Sequence, residues 1–197
     1  SYDDSLSFTE HKIELNLKDK KINIKGKGNF ATNDKLDQID YEISSSDKVY
    51  KYTTKINLNN TSFNIPVLSY LKDDKTNSSI TIDGSSDKKN SILIKKVLFE
   101  ENNNKLEIKD LHLNKLLKIT KNNKIELNFV NKANKKNQLK LFKNKKNYTI
   151  ESKVFDGTFL INEILDSESE NNFFEILNNF DSNIIIRINK FFIHKED

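Results

Sequence analysis

Apolar and polar residues alternate along most of this chain, so that every second side chain in a series of short segments is apolar. An early example is Ile13, Leu15 and Leu17, which alternate with Glu14 and Asn16. Successive side chains of a β-strand point to opposite faces, so this spacing predicts strands with one apolar and one polar face. The same spacing recurs at positions 22–24, 39–43, 50–58, 80–82, 106–108, 125–129, 139–141, 148–150 and 184–188.

Polar segments separate these strands at the intervals expected of consecutive antiparallel hairpins. Examples are residues 18–20, 44–47, 83–86, 101–104 and 121–123. With only four glycines and one proline in the chain, Asn, Asp and Ser must supply most turns, and Asn accepts positive φ most readily after glycine. We therefore predict a mainly β fold, an antiparallel meander with a single buried side.

Two local interruptions stand out within the strand pattern. Pro66 interrupts an apolar run at 63–71, which predicts a short helical turn or a loop packed against the sheet. Gly26 and Gly28 fall inside a strand, which predicts a bend or a bulge.

A helical pair is predicted near the C-terminus. Asp156 is placed to cap a first helix, and the segment 167–170 (SESE), with two acidic residues, precedes a second one. The apolar positions that follow helical spacing are Leu160, Ile161, Ile164 and Leu165, then Phe173, Ile176, Leu177 and Phe180. We therefore divide the single segment 1–197 into meandering strands at 1–154, a helical insertion at 155–181 and a final strand at 182–197.

Composition narrows the classes of function. The chain has no Met, so we expect it to be an internal segment of a larger protein. It has no Cys, which excludes disulfides and thiolate chemistry, and no apolar run approaches the roughly 20 residues of a membrane-spanning helix. Arg187 is the only arginine; arginine is the preferred reader of phosphate and guanine, so we expect no nucleic-acid partner.

No constellation of catalytic or metal-binding residues is apparent. His11, His112 and His194 lie on different predicted strands, whereas a metal site needs convergent ligands. The adjacent acid pairs at 73–74 and 100–101 fall in predicted turns, where solvation explains them better than acid–base chemistry. We therefore expect no enzyme activity, no metal and no cofactor.

The lysine-rich stretch 132–146 has two interpretations. It is either a contact for anionic lipid headgroups or another polyanion, or a solvated hairpin whose lysines protect an exposed sheet edge. We favour the second.

From about Tyr52 onward, the order of features resembles the AsmA-like family of Gram-negative bacteria, in particular its YhdP-type domains. Residues 63–72 (FNIPVLSYLK) are similar to an "lp-L-g-lK" element that follows a strand in that family, and a strand ending at Asp83-Gly84 comes next. Residues 154–160 (VFDGTFL) resemble the family's "G-x-x-fD-a-x-x-ll" entry into a helix, and the strand 183–194 completes the order.

The resemblance implies a long, twisted antiparallel β-groove with an apolar inner face. It further implies a periplasmic protein of the cell envelope, anchored in the inner membrane through flanking segments, that moves phospholipid toward the outer membrane during outer-membrane biogenesis. On this interpretation the protein is non-catalytic and its partner is phospholipid or another apolar chain. The candidate groove lining is Tyr52, Ile56, Leu58, Ile108, Leu127, Phe129, Leu141 and Ile150.

Two other classes of function stay open. One is a β-solenoid scaffold with a packed core, which acts only through protein–protein contacts and binds no ligand. The other is a nucleic-acid-binding β-domain, which requires the lysines of 115–146 to converge on one face. Where a strand is apolar on both sides, as at 92–94, the inward side is left undecided.

Overall fold

The computed structural model describes residues 7–19, 21–32, 35–46, 49–87, 91–116, 119–121, 124–144, 147–165 and 183–193. It contains one α-helix, α1 (Thr158–Leu165), and one 3₁₀ turn, Pro66–Leu68, within those ranges. The strands are β1 (Ser7–Lys18), β2 (Lys21–Thr32), β3 (Lys35–Ser46), β4 (Val49–Asn57), β5 (Phe63–Ile65), β6 (Tyr70–Lys72), β7 (Ser78–Ser86), β8 (Ile92–Glu101), β9 (Asn104–Leu113), β10 (Ile119–Lys121), β11 (Lys124–Val130), β12 (Lys136–Asn144), β13 (Asn147–Asp156), β14 (Ile184–Ile188) and β15 (Phe191–Phe192).

One 13-stranded sheet dominates the fold, and its strands follow one another almost in chain order. The order is β1-β2-β3-β4-β7-β8-β9-β11-β12-β13-β14, with β10 beside β9 and β15 beside β13. Every pair from β1 to β13 is antiparallel, so the predicted meander and the mainly β class are confirmed. The hairpin β5–β6 leaves this path and forms a sheet of its own.

The last strand pairs differently from the rest. β14 runs parallel to β13, as does β15. Parallel neighbours need a crossover between them, usually helical, and α1 directly follows β13. The meander prediction is therefore wrong for this final strand, which is also interrupted between β14 and β15.

Turn residues behave as the composition predicts. Asp19, Asn102 and Asn134 adopt φ values of 49°, 50° and 58° between strands. Ser69, with φ 48°, ends the 3₁₀ turn that begins at Pro66, so the turn predicted at the proline is confirmed.

The glycine prediction for β2 is wrong. The register of β2 with β3 is continuous through Gly26 and Gly28, and the irregularity lies in β1 instead, between Thr9 and Lys12. A Cβ on Gly26 would collide with the Tyr41 ring, which lies over it. Glycine is needed here for the close approach of an aromatic ring.

The helical region is described in part. Helix α1 is present, whereas the predicted second helix at 173–180 lies outside the described residues. Asp156 ends β13, and Gly157 occupies the capping position, since its carbonyl accepts the first helical hydrogen bond from Ile161. Asp156 still helps to cap the helix, because its carboxylate accepts a hydrogen bond from the Thr158 N–H at 3.2 Å.

Candidate apolar groove

The register of the sheet gathers apolar side chains into rows that run across the strands. Residues paired on neighbouring strands share a face, so pairing can be followed from strand to strand. The first row is Ile39, Ile56, Ile80, Phe99, Leu106, Leu127 and Leu139. The second row is Tyr41, Thr54, Ile82, Val97, Ile108, Ile125, Leu141, Ile150 and Ile186.

The pairing places all eight candidate lining residues on this one face. Ile56 and Leu127 belong to the first row, and Ile108, Leu141 and Ile150 to the second. Tyr52 lies in the next row, opposite Ile43 and Gly84. Leu58 and Phe129 lie at the other end of the strands, beyond the first row, and both are buried.

The segment 92–94, which is apolar on both sides of its strand, contributes to both faces of the sheet. Ile92 and Ile94 pair with Leu113 and Leu111 on the apolar face. Leu93 pairs with Ser85 and His112 on the opposite face.

One end of the apolar face is covered by residues 63–72, which we call the cap. The cap consists of β5, the 3₁₀ turn and β6. Its Tyr70 forms a buried aromatic cluster with Phe99 and Phe129. The cap is also held by a backbone hydrogen bond of 2.8 Å from the Lys132 N–H to the Ser69 carbonyl, and α1 contacts its 3₁₀ turn.

The rest of the face has no comparable cover within the described residues. No side chain of the second row is buried; eight are partly exposed and Ile186 is 61% exposed. On the edge strand β1, Ile13, Leu15 and Leu17 are 60%, 60% and 66% exposed. A contiguous apolar surface of this kind on a folded protein usually marks a binding site.

A buried polar cluster closes the capped end. Glu101, which is 4% exposed, accepts hydrogen bonds from the Tyr70 hydroxyl and from the Asn104 side chain. Burial raises the pKa of the Tyr70 phenol far above its ordinary value, and the Glu101 carboxylate raises it further. The prediction that the acid pair 100–101 lies in a solvated turn is therefore wrong for Glu101, which ends β8 beneath the cap.

Lys72 is the most deeply buried residue of this cluster, with no exposed surface. Its ammonium donates to the Asp73 carbonyl at 2.8 Å. Burial lowers the pKa of this ammonium, although the carboxylates of Glu101 and Asp37 act in the opposite direction. Asp37 itself accepts three backbone N–H groups, from Asn59, Asn60 and Thr61.

The opposite face of the sheet is charged, and its charges are paired across strands. Glu107 lies within 3.5 Å of Lys96 and 3.2 Å of Lys109, and Glu126 lies between Lys124 and Lys140 at 2.9 and 3.3 Å. A concavity of about 520 Å³ on this face is lined by further paired charges, including Lys25, Lys27, Asp40 and Glu42. Because these groups neutralise one another, this concavity is a weaker ligand site than the apolar face.

The lysine-rich stretch does not protect an edge, contrary to the preferred interpretation. Strand β12 pairs with β11 on one side and β13 on the other, so it is an interior strand. Lys140 points to the charged face, where it pairs with Glu126.

The two histidines within the described ranges do not converge. His11 stacks on Tyr41 with ring centroids 5.7 Å apart, His112 lies on β9, and His194 is outside the described residues. No group of three metal-binding side chains occurs in the described ranges. No helix in those ranges is long and apolar enough to cross a membrane.

Sequence reasoning missed Tyr70, Lys72 and Glu101 as a unit. The sequence around Pro66 predicts a turn, whereas Tyr70, Leu71 and Lys72 do not alternate between apolar and polar and so indicate neither a strand nor its partner. Comparison of the chain with protein families, curated proteins and solved structures found no match.

Proposed function

We propose that this protein is a non-catalytic β-groove that holds the acyl chains of phospholipid along the apolar face of its sheet. The observation that carries the proposal is the second row: nine paired positions, none of them buried. Neighbouring strands are about 4.8 Å apart, so a row crossing nine strands is roughly 40 Å long. One leaflet of a bilayer core is about 15 Å thick, so the row has room for more than one acyl chain end to end.

The chemistry of the row favours an aliphatic ligand over a protein partner. Seven of its nine side chains are Ile, Leu or Val, including the exposed Ile186. The other two, Tyr41 and Thr54, each carry one hydroxyl group. Hot spots of protein–protein interfaces are enriched in Trp, Tyr and Arg. An acyl chain needs only contact and exclusion of water, which such a row supplies.

The resemblance to AsmA-like proteins extends the proposal to the periplasm and to lipid transport toward the outer membrane, with an inner-membrane anchor in flanking segments. A packed scaffold without ligand is the second candidate. It is favoured by the aromatic cluster of Tyr70, Phe99 and Phe129, which is buried as the core of a scaffold must be.

Ile108→Asp tests the proposal, because Ile108 lies in the uncovered second row between Val97 and Ile125. The matched control is Leu98→Asp, on the charged face of the neighbouring strand, where Leu98 pairs with Glu107. We expect protein purified from a bacterial host to carry phospholipid detectable by mass spectrometry of an organic extract. Ile108→Asp should abolish this loading and keep the strand signal in circular dichroism, since an open groove leaves the carboxylate hydrated.

Leu98→Asp should keep both the lipid and the fold. Unfolding of Ile108→Asp, together with a lipid-free parent protein, would support the packed scaffold, because an unpaired carboxylate in a dry core costs several kcal/mol.

A further inference from the structure

Between the cap and the sheet lies a cavity of about 190 Å³. Phe63, Ile65 and Leu68 of the cap form its roof, and Ile80, Leu106 and Leu127 of the first row form its floor. Its accessible wall is apolar throughout. Water needs polar partners to occupy such a space, so we expect this cavity to contain no water.

The position of the cavity connects it to the uncovered face. Val97 also lines it, and Val97 belongs to the second row, next to Ile108. The wall of the cavity therefore continues directly into the uncovered part of the apolar face.

The other end of the cavity is blocked. Beyond the first row, the strands carry Ser78, Glu101 and Asn104, which pair with one another across β7, β8 and β9. Glu101 is hydrogen-bonded to Tyr70 of the cap and to Asn104. A chain that entered from the second row would meet this polar layer and stop.

The volume and the apolar lining of the cavity determine which ligand it can hold. Apolar cavities of about 150 Å³ lined by Leu, Ile and Phe stay dry and bind molecules such as benzene or xenon. A cavity somewhat larger than that accepts the last few carbons of an aliphatic chain but not a headgroup. Empty space of this kind also destabilises a core in proportion to its volume, so filling it is favourable.

We infer that the cavity under the cap holds the methyl end of an acyl chain that lies on the second row, so that the cap sets where the chain ends. This inference rests on the proposed function, since it concerns the same face. The cap then acts as a stop that fixes the position of the bound lipid along the strands.

Leu106→Phe on β9 tests the inference by filling the cavity from its floor. Ile80→Phe does so from β7, two strands away, should the first variant fail to fold. Leu98→Phe is the matched control on the charged face. The probes are benzene and a long-chain fatty acid with a trifluoromethyl terminus, each titrated against the complete chain and followed by calorimetry and fluorine NMR.

We expect the parent protein and Leu98→Phe to bind benzene and to shield the trifluoromethyl group from water. The filled variants should lose benzene binding, bind the long-chain acid about tenfold more weakly and expose its terminus, since each buried methylene contributes several-fold to affinity. A shorter homologue that does not reach the cavity should bind all variants equally.

The outcomes separate the inference from the proposed function. Fatty acid that binds the parent protein with a water-exposed terminus, or with an affinity unchanged by both filled variants, overturns the inference and leaves the groove proposal intact. Absence of fatty-acid binding to the parent protein defeats the groove proposal itself, whether or not benzene binds.

Discussion

Lys72, in the cap, contributes to stability through both its packing and its charge. Its stem and ammonium are both withdrawn from water, while the two nearby carboxylates, Asp37 and Glu101, already have other hydrogen-bond donors. Burial lowers the pKa of this ammonium although these carboxylates act in the opposite direction, so we expect the packing of the side chain to contribute more to stability than its charge.

Two substitutions separate these contributions. We expect Lys72→Met, which keeps the length of the side chain, to leave the free energy of unfolding unchanged or to raise it. Lys72→Ala should lower it by about 2–4 kcal/mol, because it opens a cavity beneath the cap. Urea denaturation of the two variants checks this, and equal losses in both would mean that the ammonium's attraction to Asp37 and Glu101 dominates.

Asp156 also has more partners than its sequence context predicts. Besides the Thr158 N–H, its carboxylate accepts hydrogen bonds from the Thr158 hydroxyl at 2.6 Å and from the Asn131 amide at 2.9 Å. Asn131 belongs to the turn between β11 and β12, so a single carboxylate joins that turn to the start of α1.

Asp156→Ala should therefore destabilise by about 2–3 kcal/mol, more than the typical ~1 kcal/mol of a helix cap alone, because Asn131 is left buried without its acceptor. The control is Asp40→Ala, which removes an exposed ion pair with Lys27 and should change stability by about 0.5 kcal/mol or less. Chemical denaturation measures the free energy of unfolding of both variants. An equal loss in the two would show that Asp156 contributes nothing to the junction between the turn and α1.

At the scale of the elements, strands and faces could be predicted from the sequence because their cause is local. The alternation at Ile13, Leu15 and Leu17 already determines which side of β1 is apolar, and hairpin pairing carries that side to each following strand. The cap could be predicted only as a turn at Pro66, since nothing near Tyr70 in sequence indicates that it reaches Glu101, 31 residues later.

The parallel pairing of β14 was missed for the same physical reason. The alternation of Ile184, Ile186 and Ile188 is identical in a parallel and an antiparallel strand, so periodicity cannot distinguish the two. Direction depends on how the chain returns after β13, which is a property of the connection and not of the strand.

At the scale of the whole molecule, the charged face makes stability depend on pH. The Lys124 ammonium holds the pKa of the Glu126 carboxyl below its ordinary value of 4.5, against the effect of partial burial, and Lys140 adds to this. Partial burial alone would raise the pKa of Glu107, but Lys109 and Lys96 outweigh it and the net direction is also downward.

A carboxyl whose pKa is lowered on folding stabilises the fold above its ordinary pKa, and this contribution disappears as pH falls through the lowered value. We expect the free energy of unfolding to decline below about pH 4.5, and the double variant Glu107→Gln/Glu126→Gln to show a shallower decline. Urea midpoints measured from neutral pH downward check this. Identical slopes for parent and variant would contradict the prediction.

The near-sequential order of the strands in the sheet affects how this fold can change in evolution. Because each strand from β1 to β4 and from β7 to β9 pairs with its immediate neighbours along the chain, duplication or deletion of one hairpin leaves every other pairing unchanged. Each added hairpin extends both rows by two positions, roughly 10 Å. Small tandem changes in the gene can therefore alter the length of the molecule and leave its other strands as they are, and the cap and the β13–β14 crossover limit where such changes are tolerated.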